Sequence, residues 1–152
     1  MRDIIFRGKT TADNKWIYGK RLFQSSLTSE IRISDYSVKD EMYTEARIKP
    51  ETLGQYTGLK DKNNVPIYEG DIVECVSWNE FFTDTEGRTI EALQRRMEVV
   101  FYEGAFCMKE DFHDPIISPN YWDMRSNAAY HVSGDLRVIG NVFDNPELLK
   151  MR

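Results

Sequence analysis

Cysteine and histidine are scarce in this sequence, and their scarcity argues against several classes of site. The 152 residues include two cysteines and two histidines. Cys75 and Cys107 form no C-x-x-C pair, so the sequence indicates neither a disulfide framework nor a zinc site. Both lie in apolar, strand-like runs, which favours buried free thiols. A Cys75–Cys107 bridge is allowed only if their two strands adjoin.

Long apolar runs and nucleotide-binding loops are absent as well. No run approaches the ~18 apolar residues of a membrane-spanning helix, and the N-terminal stretch MRDIIFRGKTT lacks the apolar core of a signal peptide. No G-x-S-x-G elbow, Walker loop or dinucleotide fingerprint occurs. We therefore expect a cytoplasmic protein that makes no membrane contact, binds no cofactor and is not an enzyme.

The composition is that of a globular protein. Apolar residues make up 41% and charged residues 30% of the chain, and the net charge is −5. The length fits one domain, so residues 1–152 are interpreted as a single domain. Residues 1–50 are slightly basic and the remainder is acidic. This excess is too small to predict phosphate binding by itself.

Strand signals dominate the chain. About eight short segments rich in β-branched and aromatic residues are separated by Gly, Asn and Asp turns. In MEVVFYEGAFCM, two apolar runs flank Glu103-Gly104, which predicts a tight β-hairpin. Residues 35–50 fit a helix or a strand equally well. The pattern predicts a mainly β fold, an SH3-like barrel or sandwich with variable insertions.

Two segments depart from the strand pattern, residues 79–97 and 109–134, and both are interpreted as variable insertions. The first contains the one candidate helix, with apolar residues at helical spacing. These residues are Ile90, Leu93 and Met97. Near the C-terminus, Asn145 followed by Pro146 predicts a short helical turn.

The stretch TGLKDKNNVPIYEGDIVECV, residues 57–76, is the most organised part of the sequence. Gly58, Asp61, Gly70 and Asp71 are of the residue types that tight turns require, so they are predicted to be structural. The alternative is a divalent metal site at Glu69, Asp71 and Glu74. It is disfavoured because such a site needs converging carboxylates. No metal ligand is therefore assigned.

Several motifs together resemble the YopX family of phage and prophage proteins. The matching segments are GQYTGLKD (residues 54–61), IYEGDIV (67–73), FRGK (6–9), WIYG (16–19) and VIGNVFDNPELL (138–149). The family turn D-K-N-G reads D-K-N-N here, with Asn64 in place of the usual glycine. Asparagine also adopts the left-handed conformation, so the turn is retained.

The resemblance implies a mainly β protein with an SH3-like part and a tendency to associate. It implies a phage-encoded protein in the cytoplasm of a bacterial host, and it supplies no catalytic residues. The favoured function is therefore that of a non-enzymatic accessory protein. Its expected partners are a second copy of itself and an unidentified host or phage protein.

Three sets of surface residues are candidate sites. Tyr121 and Trp122 are predicted protein contacts, because loops and aromatic residues dominate interaction sites. The alternative is nucleic-acid binding by basic residues interleaved with aromatics near the N-terminus, and it is not favoured. Its residues are Arg7, Lys9, Lys20 and Arg21. The least favoured alternative is a metal-dependent hydrolase using Asp111 and His113.

Overall fold

The chain folds as two compact units, residues 1–58 and 59–152. That residues 1–152 form a single domain stays a prediction. The structure is a computed structural model. It describes residues 3–75, 82–83, 86–87, 89–90, 95–110, 118–125 and 136–150. Within these residues the regular structure is β-strand, with two short 3-10 turns. The prediction of a mainly β fold is confirmed.

The first unit is built from two small antiparallel sheets. Its strands are β1 (Phe6–Lys9), β2 (Trp16–Gly19), β3 (Arg21–Gln24), β4 (Ile31–Ser37), β5 (Met42–Ile48) and the start of β6 (Gly54–Lys60). In one sheet β1 lies between β2 and β6, and in the other β4 lies between β3 and β5. Residues 35–50 therefore contain strand, and Pro50–Thr52 is a 3-10 turn.

Ile33 and Ile48 form the centre of the first unit, and both are fully buried. Two glycines allow the strands to approach closely around them. A Cβ placed on Gly8 would lie 2.5 Å from Cδ1 of Ile48, and one on Gly19 would collide with the carbonyl oxygen of Ser34. A larger residue at Gly19 would push the backbones apart, and one at Gly8 would displace the Ile48 side chain.

The second unit contains the larger sheet. Its strands are β7 (Pro66–Tyr68), β8 (Asp71–Cys75), β9 (Phe82–Thr83), β10 (Thr89–Ile90), β11 (Arg95–Tyr102), β12 (Ala105–Glu110), β13 (Asn120–Asp123) and β14 (Leu136–Asn141). Five of them form an antiparallel sheet in the order β13-β12-β11-β8-β14. None of the sheets formed by the described strands closes into a barrel.

One face of the five-stranded sheet carries the core of the second unit. Its buried members are Ile67, Val73, Cys75, Met97, Val99, Phe106, Met108, Met124 and Leu136. Strand alternation places every second side chain of β8, β11 and β12 in this cluster. The predicted hairpin is confirmed, with Tyr102 opposite Ala105. Glu103 and Gly104 have φ values of 48° and 83°, as a type I′ turn requires.

The helix predicted within residues 79–97 is wrong for the residues that can be compared. Ile90 lies in β10 and Met97 in β11, whereas Leu93 lies outside the described residues. Met97 is buried because it alternates along a strand and faces the core. Leu93 and Met97 are four residues apart, and this spacing fits one face of a strand as well as one face of a helix. The three apolar residues therefore did not distinguish a helix from a strand. The predicted C-terminal helical turn is confirmed at Pro146–Leu149 as a 3-10 turn.

Cys75 and Cys107 are both free and buried, as the sequence predicts. β11 separates their strands, so the two cysteines do not adjoin. The register places Cys75 on the core face and Cys107 on the other face of the sheet. A bridge between them is therefore excluded by geometry. Separately, the described residues contain no helix that is long and apolar enough to cross a membrane.

Candidate functional site

Asp61 has a structural task in the stretch of residues 57–76. Its side chain is 4% exposed. Oδ1 accepts hydrogen bonds from the backbone N–H groups of Asn63 and Val65, at 2.8 and 2.9 Å. Oδ2 accepts a third from the N–H of Val138, at 2.9 Å. The carboxylate thus closes the turn after β6 and ties it to β14, which leaves little capacity for a ligand.

The next turn, between β7 and β8, is built in the same way. Oδ2 of the buried Asp71 accepts a hydrogen bond from the N–H of Tyr68 at 2.8 Å. Gly70 has a φ of 84°, and Gly58 has a similar value of 85°. The Gly70 N–H donates to the carbonyl of Val99, and its own carbonyl accepts from Val142. These bonds join the turn to its neighbours within the second unit.

Glu74 does not converge with Asp71. The two residues are three apart on one strand, so their side chains point to opposite faces of the sheet. Glu74 is buried between two arginines, with Oε2 at 3.8 Å from Nε of Arg96 and 3.6 Å from Nη2 of Arg137. Within the described parts of the chain, no group of three His, Cys, Asp or Glu residues is arranged to hold a metal ion. Asp111 and His113, the hydrolase candidates, lie outside those parts.

The four basic residues predicted to contact nucleic acid in the alternative interpretation do not form one exposed surface. Arg7 and Lys9 are buried on β1. The Arg7 guanidinium carbon lies 4.6 Å from the centre of the Trp16 ring, and the Lys9 ammonium lies 5.6 Å from it. Both cations therefore stack on an aromatic ring of β2. Lys20 and Arg21 are exposed at the start of β3.

Tyr121 and Trp122, the predicted protein contacts, lie on β13. Each side chain is 37% exposed. They are adjacent in the strand, so they point to opposite faces of the sheet. Tyr121 is opposite Lys109, and Trp122 is opposite the buried Met108. The predicted pair is thus two separate surface features, with Trp122 on the core side.

Tyr121 is stacked on Tyr102, a residue that the sequence analysis missed. The ring centroids are 3.8 Å apart and the planes differ by 9°. Both rings remain partly exposed. In the sequence, Tyr102 belongs to an apolar hairpin strand and reads as core. The signal that marks it as exposed is its position beside the Glu103-Gly104 turn.

The surroundings of this stack are acidic. The carboxylate of Glu103 raises the pKa of the Tyr102 hydroxyl, and partial burial and Tyr121 act in the same direction. Burial raises the pKa of the Cys107 thiol, and the nearby Asp123 and Glu103 carboxylates add to the effect. A pair of tyrosine rings flanked by carboxylates is chemically suited to a cationic side chain.

A second exposed surface, also missed from the sequence, lies on the three-stranded sheet of the first unit. We name it the arginine–tyrosine face. Its members share one face of β3, β4 and β5 by register, and the opposite face of the sheet carries the buried Ile33 and Ile48. They are Arg21, Phe23, Arg32, Tyr36, Tyr43 and Arg47. From the sequence, the segment that contains Tyr36 and Tyr43 could not be assigned to helix or strand, so no shared face was predicted.

Comparison with known proteins places the chain in one family. The model of the YopX protein family matches residues 5–150. The chain is similar to the crystal structure of protein EF1440 from Enterococcus faecalis, with 23% identity and a TM-score of 0.49 over 98% of this chain and 99% of that one. No functionally curated protein matches. The matched residues span nearly the whole sequence, including each motif discussed above, and the protein belongs to the YopX family.

Proposed function

We propose that this protein is a non-enzymatic interaction module that associates with a second copy of itself through the Tyr102–Tyr121 stack. The stack is the observation that carries the proposal. Two rings held parallel at the surface are rigid and amphipathic, and rigid aromatic residues are enriched at the energetic centres of interfaces. The pairing also fixes both side chains in advance, so association loses less side-chain entropy.

The distribution of charge favours a second copy as the partner. Residues 1–58 hold ten Lys/Arg and eight Asp/Glu, whereas residues 59–152 hold ten and seventeen. The acidic second unit of one copy therefore attracts the basic first unit of another. Glu103 and Asp123 place negative charge beside the stack. An incoming Lys or Arg side chain would gain both a cation–π contact and an ion pair.

The proposal that the protein is not an enzyme rests on the structural contacts of the acidic residues in the 57–76 stretch. Asp61 and Asp71 accept backbone hydrogen bonds, and Glu74 is paired with two arginines. Each therefore has a structural partner. The family supports a role as an accessory protein of a phage or prophage, acting in the bacterial cytoplasm and meeting other host or phage proteins there.

Light scattering coupled to size exclusion tests the proposal. We expect the wild-type protein to elute as a discrete oligomer of its 17.8 kDa chain. The mass should fall as salt rises from about 50 to about 200 mM, because exposed charges are screened. The Tyr102→Ala/Tyr121→Ala variant should elute as a monomer at both salt concentrations.

The matched control is Tyr36→Ala/Tyr43→Ala, which removes two tyrosines of the first unit that are more exposed than those of the stack. It should keep the wild-type mass. Circular dichroism establishes that both variants are folded. A monomeric wild-type protein at tens of micromolar, or an unchanged mass in the Tyr102→Ala/Tyr121→Ala variant, would contradict the proposal.

A further inference from the structure

The arginine–tyrosine face of the first unit carries three exposed aromatic residues, whereas Ser34, on the same face, is fully buried. The opposite side of the same sheet is buried at Ile33 and Ile48. On the open side, Phe23, Tyr36 and Tyr43 are 48%, 49% and 52% exposed. Their rings are therefore available for another planar group to stack on them.

The register sets cations between these aromatic rings. Phe23, Arg32 and Arg47 form one row across β3, β4 and β5. Tyr36 and Tyr43 face each other in a second row, four residues further along β4. At ~3.3 Å per residue the two rows are about 13 Å apart. Arg21 projects between them, in register with Ser34.

The arginines of the face differ in how far they are neutralised. Arg47 pairs with Glu30 at 3.0 Å, and Arg32 lies 3.6 Å from Glu30 and 3.9 Å from Glu45. Arg21 has no ion pair with any residue that the structure describes. The face therefore has one unneutralised cation, Arg21, between the row that holds Phe23 and the row that holds Tyr36 and Tyr43. Glu45 lies in the same row as Arg21, and its carboxylate contacts Arg32 and accepts a hydrogen bond from the Tyr43 hydroxyl.

We propose that the arginine–tyrosine face binds single-stranded nucleic acid. Bases stack on exposed aromatic rings whatever their sequence, while arginines contact the phosphates and stack on bases through their planar guanidinium groups. The 13 Å between the rows exceeds the ~3.4 Å rise of stacked bases, so the platform suits an extended strand and not a duplex.

Three strands about 4.8 Å apart and seven residues long give the face an area of roughly 14 by 23 Å. A stable protein interface buries about 800 Å² on each partner, so a protein bound here would also have to contact surfaces beyond the face. The surface also replaces the basic set expected from the sequence. Arg7 and Lys9 are buried against Trp16, and of the four residues only Arg21 is shared.

Fluorescence anisotropy with labelled oligonucleotides tests the inference on the full chain. The probes are oligo(dT) and oligo(rU) of about twelve nucleotides, a length within the site sizes of small single-strand binders. A duplex of the same length is the comparison. We expect both single strands to bind and the duplex to bind at least about tenfold more weakly. A phosphate contact by Arg21 alone predicts a slope of log K against log salt of about −0.7, and further contacts by Arg32 and Arg47 would steepen it to about −2.

Three variants locate the site. Tyr36→Ala/Tyr43→Ala should weaken single-strand binding at least about tenfold with little change in the salt slope, because it removes stacking and no charge. Arg21→Gln should make the slope shallower by about one. Phe23→Ala provides the same stacking test at the opposite row if the double variant is unfolded by circular dichroism.

The matched control is Tyr102→Ala/Tyr121→Ala, which should bind the oligonucleotides as the wild-type protein does. A preference of oligo(dT) over oligo(rU), or the reverse, assigns the site to DNA or RNA. The inference is overturned by the lack of a salt-sensitive anisotropy change, by equal affinity for the duplex, or by an equal loss of binding in the control. A change in oligomer mass for Tyr36→Ala/Tyr43→Ala without oligonucleotide binding would assign the face to protein contact and also overturn it.

Discussion

Asp61 shows how one residue joins two distant segments of the second unit. It accepts three backbone hydrogen bonds, two from its own turn and one from Val138, which is 77 positions away. The sequence predicts the turn, because Asp and Asn at these positions form local hydrogen bonds. The bond to Val138 depends on how β14 packs beside β8, so no local pattern could reveal it.

We expect Asp61→Ala to lower the free energy of unfolding by about 3 kcal/mol or more. The substitution leaves three partly buried N–H groups without their charged acceptor, and each such loss costs about 1 kcal/mol. Asp61→Asn should have an intermediate effect, since one carboxylate oxygen becomes an amide nitrogen that cannot accept a bond from Val138. Urea denaturation followed by circular dichroism measures both changes.

The control for this prediction is Asp40→Ala. Asp40 is exposed and bonds to the half-buried Ser37 across one turn. Its removal should change stability by no more than about 0.5 kcal/mol. If Asp61→Ala matched this control, the carboxylate would not hold the turn to β14.

At the scale of elements, the β11–β12 hairpin was the most predictable part of the fold. Two apolar runs around Glu103-Gly104 specify a two-residue turn by local chemistry alone. The strands on either side of residues 91–94 were less predictable. Ile90 and Met97 also fit helical spacing, but Ile90 pairs with Phe82, eight residues before it, and Met97 pairs with the more distant Val73. Short apolar stripes are ambiguous for this reason.

A substitution at Glu103 in the hairpin turn is expected to stabilise the protein. This residue has a φ of 48°, which is unfavourable for glutamate and well tolerated by asparagine. Glu103→Asn should therefore raise the free energy of unfolding by about 0.5–1 kcal/mol. Gly104→Ala should lower it by about 1 kcal/mol through backbone strain alone, because nothing lies within 4 Å of the added Cβ.

Urea denaturation of the two hairpin variants, in parallel with the wild-type protein, measures these shifts. Opposite signs for the two substitutions are the expected pattern. If both variants were destabilised equally, side-chain contacts of Glu103 would outweigh the backbone preference. Glu103→Asn also removes a carboxylate beside the stack, so the pKa of Tyr102 should move back toward its ordinary value.

At the scale of the whole molecule, the sheets of the two units differ in how many of their faces are buried. In the second unit, buried side chains on both faces of the five-stranded sheet hold a core and an ion-paired cluster around Glu74. In the first unit, the three-stranded sheet buries one face and exposes aromatic residues on the other. The sequence predicts strands in both, but local alternation does not say which face another sheet will cover.

The reactivity of the two thiols tests whether the five-stranded sheet of the second unit unfolds in a single cooperative step. Both are 5% exposed and lie on opposite faces of one sheet. We expect iodoacetamide to label Cys75 and Cys107 at the same urea concentration, the one at which the sheet unfolds, because neither face opens alone. Mass spectrometry of the labelled peptides measures each midpoint. Labelling of Cys107 well before Cys75 would show that its face opens independently.

The pH dependence of this transition has a defined sign. Burial, followed by the Asp123 and Glu103 carboxylates, raises the pKa of Cys107 in the folded protein. Above the ordinary thiol pKa of about 8.5, the unfolded chain releases a proton that the folded protein retains. Its contribution to stability is therefore complete at neutral pH and falls as pH rises through that value. Between about pH 8 and pH 10, the free energy of unfolding of Cys107→Ser should fall less with pH than that of the wild-type protein. An equal fall in both proteins would assign the pH dependence to other groups.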